Sequence, residues 1–67
     1  MSEAIKKELI QLIFQKFHSE SFIYNVLSGL KTDEEGQAMI EYLQHTESPT
    51  KTDVEEKMIS IRGLIKR

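Results

Sequence analysis

This chain of 67 residues contains no cysteine and no tryptophan, and it has only one proline and three glycines. Without thiols it cannot form disulfide bonds, thiolate metal sites or a cysteine nucleophile. With so few glycines and prolines and with 39% hydrophobic residues, the chain is neither low-complexity nor disordered in composition, and it can bury a core. Because so short a chain is only marginally stable without covalent links, close packing or self-association must supply the remaining stability.

The chain also lacks a strong net charge and a long apolar run. Its formal net charge is -2 and its isoelectric point is about 5.6, so no global positive field attracts nucleic acid or an anionic membrane. The stretch LIQLIF at residues 9–14 is too short for the core of a signal peptide, and Gln11 interrupts it. No run reaches the ~18 apolar residues of a membrane span. We therefore expect a cytoplasmic chain with no leader and no membrane contact.

Apolar residues recur at helical spacing in four segments of the chain. The pattern predicts a single all-α domain, residues 1–67, built as a small bundle of four short helices. The expected helices span about 3–17, 20–30, 33–45 and 53–66. A continuous helix through His18 and Ser19 would rotate its apolar arc by roughly 120°, so we expect a bend there, capped by Ser19 or Ser21. The alternative is a three-helix bundle in which the first two helices are merged.

Two similar acidic tracts, KTDEEG at residues 31–36 and KTDVEE at residues 51–56, look like a repeated functional motif. Thr32 with Glu35, and Thr52 with Glu55, each fit the T-x-x-E capping box, in which both side chains bond backbone N–H groups at a helix start. The neighbouring acids suit the positive end of the helix dipole. We therefore interpret both tracts as helix starts and not as reactive sites.

The third helix contains a glycine, Gly36, close to its start. A glycine inside a helix costs ~1 kcal/mol relative to alanine, and we interpret this one as tolerated, with a close helix crossing as the alternative. Ile40 is expected toward the back of the helix. The side chains expected to face inward are Ala38, Met39, Tyr42 and Leu43.

The sequence contains little that supports metal binding or catalysis. The acids at residues 33–35 do not alternate as in an EF-hand loop, and His18 and His45 lie outside any H-E-x-x-H arrangement. Nucleotide-binding loops and hydrolase motifs are missing. Ser19 and Ser21 beside His18 are interpreted as a capped helix junction and not as a nucleophile site. We therefore expect no enzymatic activity, no catalytic or metal site, no cofactor and no small-molecule substrate.

Protein binding is the function that these exclusions favour. The apolar arc of the first helix spans roughly 200° at about 100° per residue, with Ile10 and Phe14 beyond its main stripe, and Ile59 on the last helix lies among charged residues. The alternative is that Ile10 and Phe14 belong to the core. Ile59 is then one of the single apolar residues that are common on protein surfaces. The candidate partner-binding residues are Ile10, Phe14, Ile59, Arg62 and Lys66.

We expect a small intracellular, non-enzymatic protein–protein interaction or regulatory module. Its partner is then another protein or a second copy of the chain in a homodimer. The alternative is a nucleic-acid-associated regulator that uses the basic C-terminal tip, Arg62, Lys66 and Arg67. The acidic starts of the third and fourth helices disfavour that alternative, because a recognition helix presents its N-terminal residues beside phosphates.

Overall fold

A computed structural model describes the backbone of residues 1–65 and the side chains of residues 1–63. This part of the chain forms a bundle of four helices and contains no strand, which confirms the expected fold class. In chain order the helices are α1 (Glu3–Phe17), α2 (Glu20–Gly29), α3 (Asp33–His45) and α4 (Lys51–Ile65). Within the described residues, none of them has both the length and the apolar composition that a bilayer span requires.

The bend between α1 and α2 is confirmed, so the merged three-helix alternative is wrong. His18 ends α1 in the left-handed conformation, with φ 53° and ψ 38°, and its N–H donates to the carbonyl of Phe14 at 2.9 Å. Ser19 is extended, and its hydroxyl accepts the N–H of Phe22 at 3.3 Å, which caps α2. Two adjacent non-helical residues therefore separate the helices.

The first capping box is confirmed at the start of α3. The hydroxyl of Thr32 accepts the Glu35 N–H at 3.1 Å. The Glu35 carboxylate in turn accepts the N–H of Lys31 at 2.7 Å and that of Thr32 at 3.4 Å. Glu35 is 8% exposed, and these bonds satisfy a buried charge that would otherwise be costly. The KTDEEG tract is therefore the start of a helix.

The second capping box, Thr52 with Glu55, is wrong, because α4 begins two residues earlier than expected, at Lys51. The hydroxyl of Thr50 accepts the Asp53 N–H at 3.0 Å, and the Asp53 carboxylate accepts the Thr50 N–H at 3.1 Å. Each residue added to a helix that has already nucleated gains a further hydrogen bond, so the earlier start of α4 is favourable. The KTDVEE tract therefore lies within the first turns of α4.

The end of α2 also differs from the expected bound. The helix ends at Gly29 and not at residue 30, because Leu30 is extended, with φ -112° and ψ 123°. A Cβ atom on Gly29 would overlap the sulfur of Met58, so α4 approaches α2 closely at this point. The predicted end of α4 at Lys66 lies outside the described residues.

The core lies where the four helices meet. Ile40 is 1% exposed, so the expectation that it faces the back of α3 is wrong. The reason is that α3 packs against both α1 and α4, which buries a wider arc of α3 than one neighbour could. The buried apolar side chains are Leu9, Ile13, Phe22, Ile23, Val26, Leu30, Met39, Ile40, Leu43, Val54 and Ile61.

Gly36 packs closely against side chains at the start of the chain, which favours the alternative of a close helix crossing over simple tolerance. A Cβ atom at this position would lie 2.7 Å from Cγ2 of Ile5 and 3.0 Å from the sulfur of Met1. Non-bonded atoms do not approach each other this closely even in a close-packed interior. The absence of a side chain at Gly36 therefore leaves room for the side chains of Ile5 and Met1.

The loop between α3 and α4 is tied to the end of α1. The ammonium group of Lys16 donates to the carbonyl of Thr46 at 3.1 Å and to that of Glu47 at 3.4 Å. Thr46 is the C-cap of α3, where a cation suits the negative end of the helix dipole. This contact joins the end of α1 to the end of α3 on one side of the bundle.

Candidate partner-binding surface

A shallow groove of about 330 Å³ runs between α1 and α2. Ile10 and Phe14 are one turn apart on α1, and Ile23 with Leu27 are one turn apart on α2. The chain doubles back at the bend, so these two pairs face a common hollow. We call this surface the α1–α2 groove, and it is lined by Ile10, Phe14, Glu20, Ile23, Tyr24 and Leu27.

The α1–α2 groove holds most of the exposed large apolar side chains in the described part of the chain. Ile10 is 36% exposed, Phe14 is 48% exposed and Tyr24 is 69% exposed. The sequence predicts Ile10 and Phe14, but not Tyr24, as partner-binding residues. The position of Tyr24 one turn after Glu20 and nearly one turn before Leu27 was the available signal, since such positions share a helix face.

Aromatic contacts support the groove at the end near the bend. The rings of Phe14 and His18 meet edge to face, with centroids 5.5 Å apart and planes at 77°. Beneath them, Phe17 of α1 meets Phe22 of α2 at 4.8 Å and 67°. Edge-to-face pairs of this kind are favourable, so Phe14 is held in place although half of it is exposed.

Charged residues of opposite sign lie at the two ends of the groove. Glu20 lines it near the bend, and the exposed residues Lys6 and Lys7 precede Ile10 by one turn at the other end of α1. In the part of the chain that the structure describes, the one ion pair within 4.0 Å joins the N-terminal amine to Asp33. The charges at the ends of the groove therefore have no such partner within residues 1–63.

The structure brings together Ile10 and Phe14 but does not join the other candidate residues to them. Ile59 is 67% exposed on α4, a helix that packs against α2 and α3, and it does not line the α1–α2 groove. Arg62 is exposed near the end of the same helix. Lys66, the last of the candidate residues, lies outside the described residues.

A second groove, of about 400 Å³, lies between α3 and α4 and carries polar groups. The ammonium of Lys57 lies 5.5 Å from the centre of the Tyr42 ring, a cation–π contact. Glu41 and His45 also line this groove. Among the side chains described, no three His, Asp or Glu residues are close enough to share a metal ion.

The Ser19 hydroxyl at the helix junction serves as a cap. It accepts the N–H of Phe22 and lies 3.3 Å from the hydroxyl of Ser21. This confirms the capping interpretation of Ser19. A histidine base activates a serine through a hydrogen bond to its hydroxyl. Within the described residues, the Ser19 hydroxyl makes no such bond to His18.

Comparisons with protein-family models, with curated proteins and with solved structures each find no match to this chain. No relative therefore supplies a ligand or a partner. The groove itself has aromatic and aliphatic side chains at its centre and charges at its ends. That distribution is typical of surfaces that bind other proteins, whose centres are enriched in aromatic residues and depleted of charge.

Proposed function

We propose that this chain is a small, non-enzymatic binding or regulatory module that acts on another protein chain through the α1–α2 groove. The observation that supports this function is the convergence of Ile10, Phe14 and Tyr24, all partly exposed, on one groove. Single exposed apolar residues are common, but adjacent ones that include two aromatic rings mark interaction surfaces. A partner that covers these rings removes them from water, which drives association.

The chemistry of the groove fits a protein ligand better than a small molecule. Tyrosine is among the residues that contribute most to protein interfaces, because it combines a large apolar ring with a polar hydroxyl. Small-molecule sites bury most of the ligand surface in a concave pocket, whereas this groove lies on the outside of two short helices. We also propose a cytoplasmic location, which the cysteine-free composition supports.

Site-specific photocrosslinking tests this function. A photoreactive benzoylphenylalanine replaces Tyr24 in one variant and Ile59 in a matched control, since these side chains are 69% and 67% exposed. After irradiation in the producing cells, we expect a specific adduct from position 24 that position 59 does not give. The crosslinked protein is then purified and titrated with the wild-type chain and with Phe14→Ser.

The proposed function requires that the purified partner binds the wild-type chain and that Phe14→Ser weakens binding about tenfold or more, as expected for a central aromatic residue. Ile59→Ser should leave the affinity unchanged. If position 24 yields no more adduct than position 59, with the chain itself or with any other protein, the groove is not a binding surface and the proposed function is wrong.

A further inference from the structure

We infer that the partner in the α1–α2 groove is a second copy of this chain, related to the first by a two-fold axis through the groove. This inference rests on the proposed function and names the partner. Most soluble homo-oligomers are symmetric, and dimers with a two-fold axis are the commonest. In such a dimer the same surface must be complementary to itself, so the groove has to carry both members of each contact.

The apolar part of the groove meets that requirement. Phe14 and Tyr24 are partly exposed beside a hollow whose base includes Ile23, which is 7% exposed. A two-fold axis places the rings of each chain over the hollow of the other. The same residues then form both sides of the contact, and water is excluded from four rings at once, two from each chain.

The charges at the ends of the groove are also self-complementary. A two-fold axis across the groove reverses its direction, so the Glu20 end of one chain meets the end that carries Lys6 and Lys7 in the other. Each chain therefore contributes one acidic and one basic end, and the two contacts are equivalent. Glu3 lies one turn beyond Lys7, so the basic end retains a net positive charge. A parallel arrangement would instead place Glu20 against Glu20, which is unfavourable.

Chain length favours a second copy over an unrelated partner as the source of stability. With 67 residues and no cysteine, the chain has a small core and no covalent link, and self-association is a common way for chains of this size to gain stability. The exposed apolar area of the groove is modest. Interfaces below about 1,200 Å² in total are weak or transient, so the dimer should form at high protein concentration and add to the stability of the folded monomer only there.

Sedimentation velocity and light scattering over a wide concentration range test this dimer. We expect the wild-type mass to rise from one chain toward two with increasing concentration. Tyr24→Ser should raise the dissociation constant about tenfold or more, whereas Ile59→Ser, at a position of nearly equal exposure, should leave it unchanged. Circular dichroism on each variant verifies that the helices are retained.

A charge exchange tests the two-fold geometry. Glu20→Lys should weaken the dimer about two- to fivefold at low salt, because it faces lysines of the other chain. Adding Lys6→Glu and Lys7→Glu to the same chain should restore the affinity. Failure of this restoration, or a dimer that Ile59→Ser weakens and Tyr24→Ser does not, overturns the arrangement.

The two proposals fail separately. A wild-type chain that stays monomeric at millimolar concentration overturns the dimer, while the proposed function survives if position 24 crosslinks to a different protein that binds after purification. If position 24 gives no specific adduct of either kind, the proposed function fails as well.

Discussion

Asp53 and Thr50 exchange two hydrogen bonds across the first turn of α4. The Thr50 N–H donates to the Asp53 carboxylate at 3.1 Å, and the Asp53 N–H donates to the Thr50 hydroxyl at 3.0 Å. Each bond satisfies a backbone group that the helix leaves unpaired at its start. Thr52, two residues later, lies exposed inside the helix.

The two threonines at this helix start should therefore differ in their contribution to stability. We expect Thr50→Ala to lower the free energy of unfolding by about 1 kcal/mol, as is usual for loss of an N-cap. Thr52→Ala should change it by less than about 0.5 kcal/mol, because an exposed helical position gains from alanine. Urea denaturation of both variants measures the difference. A larger loss in Thr52→Ala would contradict the observed start of α4.

Gly36 should be intolerant of a methyl group. We expect Gly36→Ala to lower the free energy of unfolding by about 1 kcal/mol, because overpacking against Cγ2 of Ile5 outweighs the gain in helix propensity. Gly63→Ala is the matched control, since a Cβ atom there would meet no atom within 4 Å among the residues that the structure describes, and it should raise stability by about 0.5 kcal/mol.

A double-mutant cycle identifies the cause of the Gly36 effect. In an Ile5→Ala background, the methyl group that meets the new Cβ atom is missing, so Gly36→Ala should cost less than it does in the wild-type chain. Thermal unfolding of the four proteins gives the coupling, because ~1 kcal/mol moves the melting temperature of a domain this size by about 4–8 °C. Additive effects would show that Ile5 is not the obstacle.

Lys16 should stabilise the fold through the two carbonyl groups it contacts. Lys16→Met keeps the apolar stem but removes the bonds to Thr46 and Glu47, and we expect a loss of about 1 kcal/mol. Lys31→Met is a suitable control, because the Lys31 side chain is exposed and makes no hydrogen bond within the described residues, so a change below about 0.5 kcal/mol is expected. Equal effects in urea titrations would contradict a role for the Lys16 contacts.

The helix bounds could be predicted where a local signal stands alone. Ser19 lies before an apolar helical pattern, and Thr32 with Glu35 forms one capping box without a competitor, so the starts of α2 and α3 were predicted correctly. At α4 two overlapping patterns compete, because Thr50 with Asp53 can cap a helix start as well as Thr52 with Glu55 can. Local sequence does not decide between them, and the helix that begins earlier forms.

The features that were missed depend on which helices become neighbours. Ile40 is buried because α3 has helices on two sides, and Gly36 leaves room for the side chains of Ile5 and Met1. Neither fact is contained in the periodicity of α3 alone. Only the α1 side of the groove could be predicted, because Ile10 and Phe14 lie outside the main apolar stripe of α1. Tyr24 joins them only because α2 folds back beside α1.

The alternative of a nucleic-acid-associated regulator predicts salt-dependent binding of DNA, and we expect none. Both α3 and α4 carry acids in their first turns, Asp33 and Asp53 among them, and these repel phosphates where a recognition helix would enter a groove. The net charge of -2 adds no long-range attraction. Fluorescence anisotropy of a labelled duplex at about 20 mM and about 150 mM salt measures this. Binding at low salt that falls steeply at high salt, and that Arg62→Ala weakens further, would favour the basic tip over the α1–α2 groove as the functional surface.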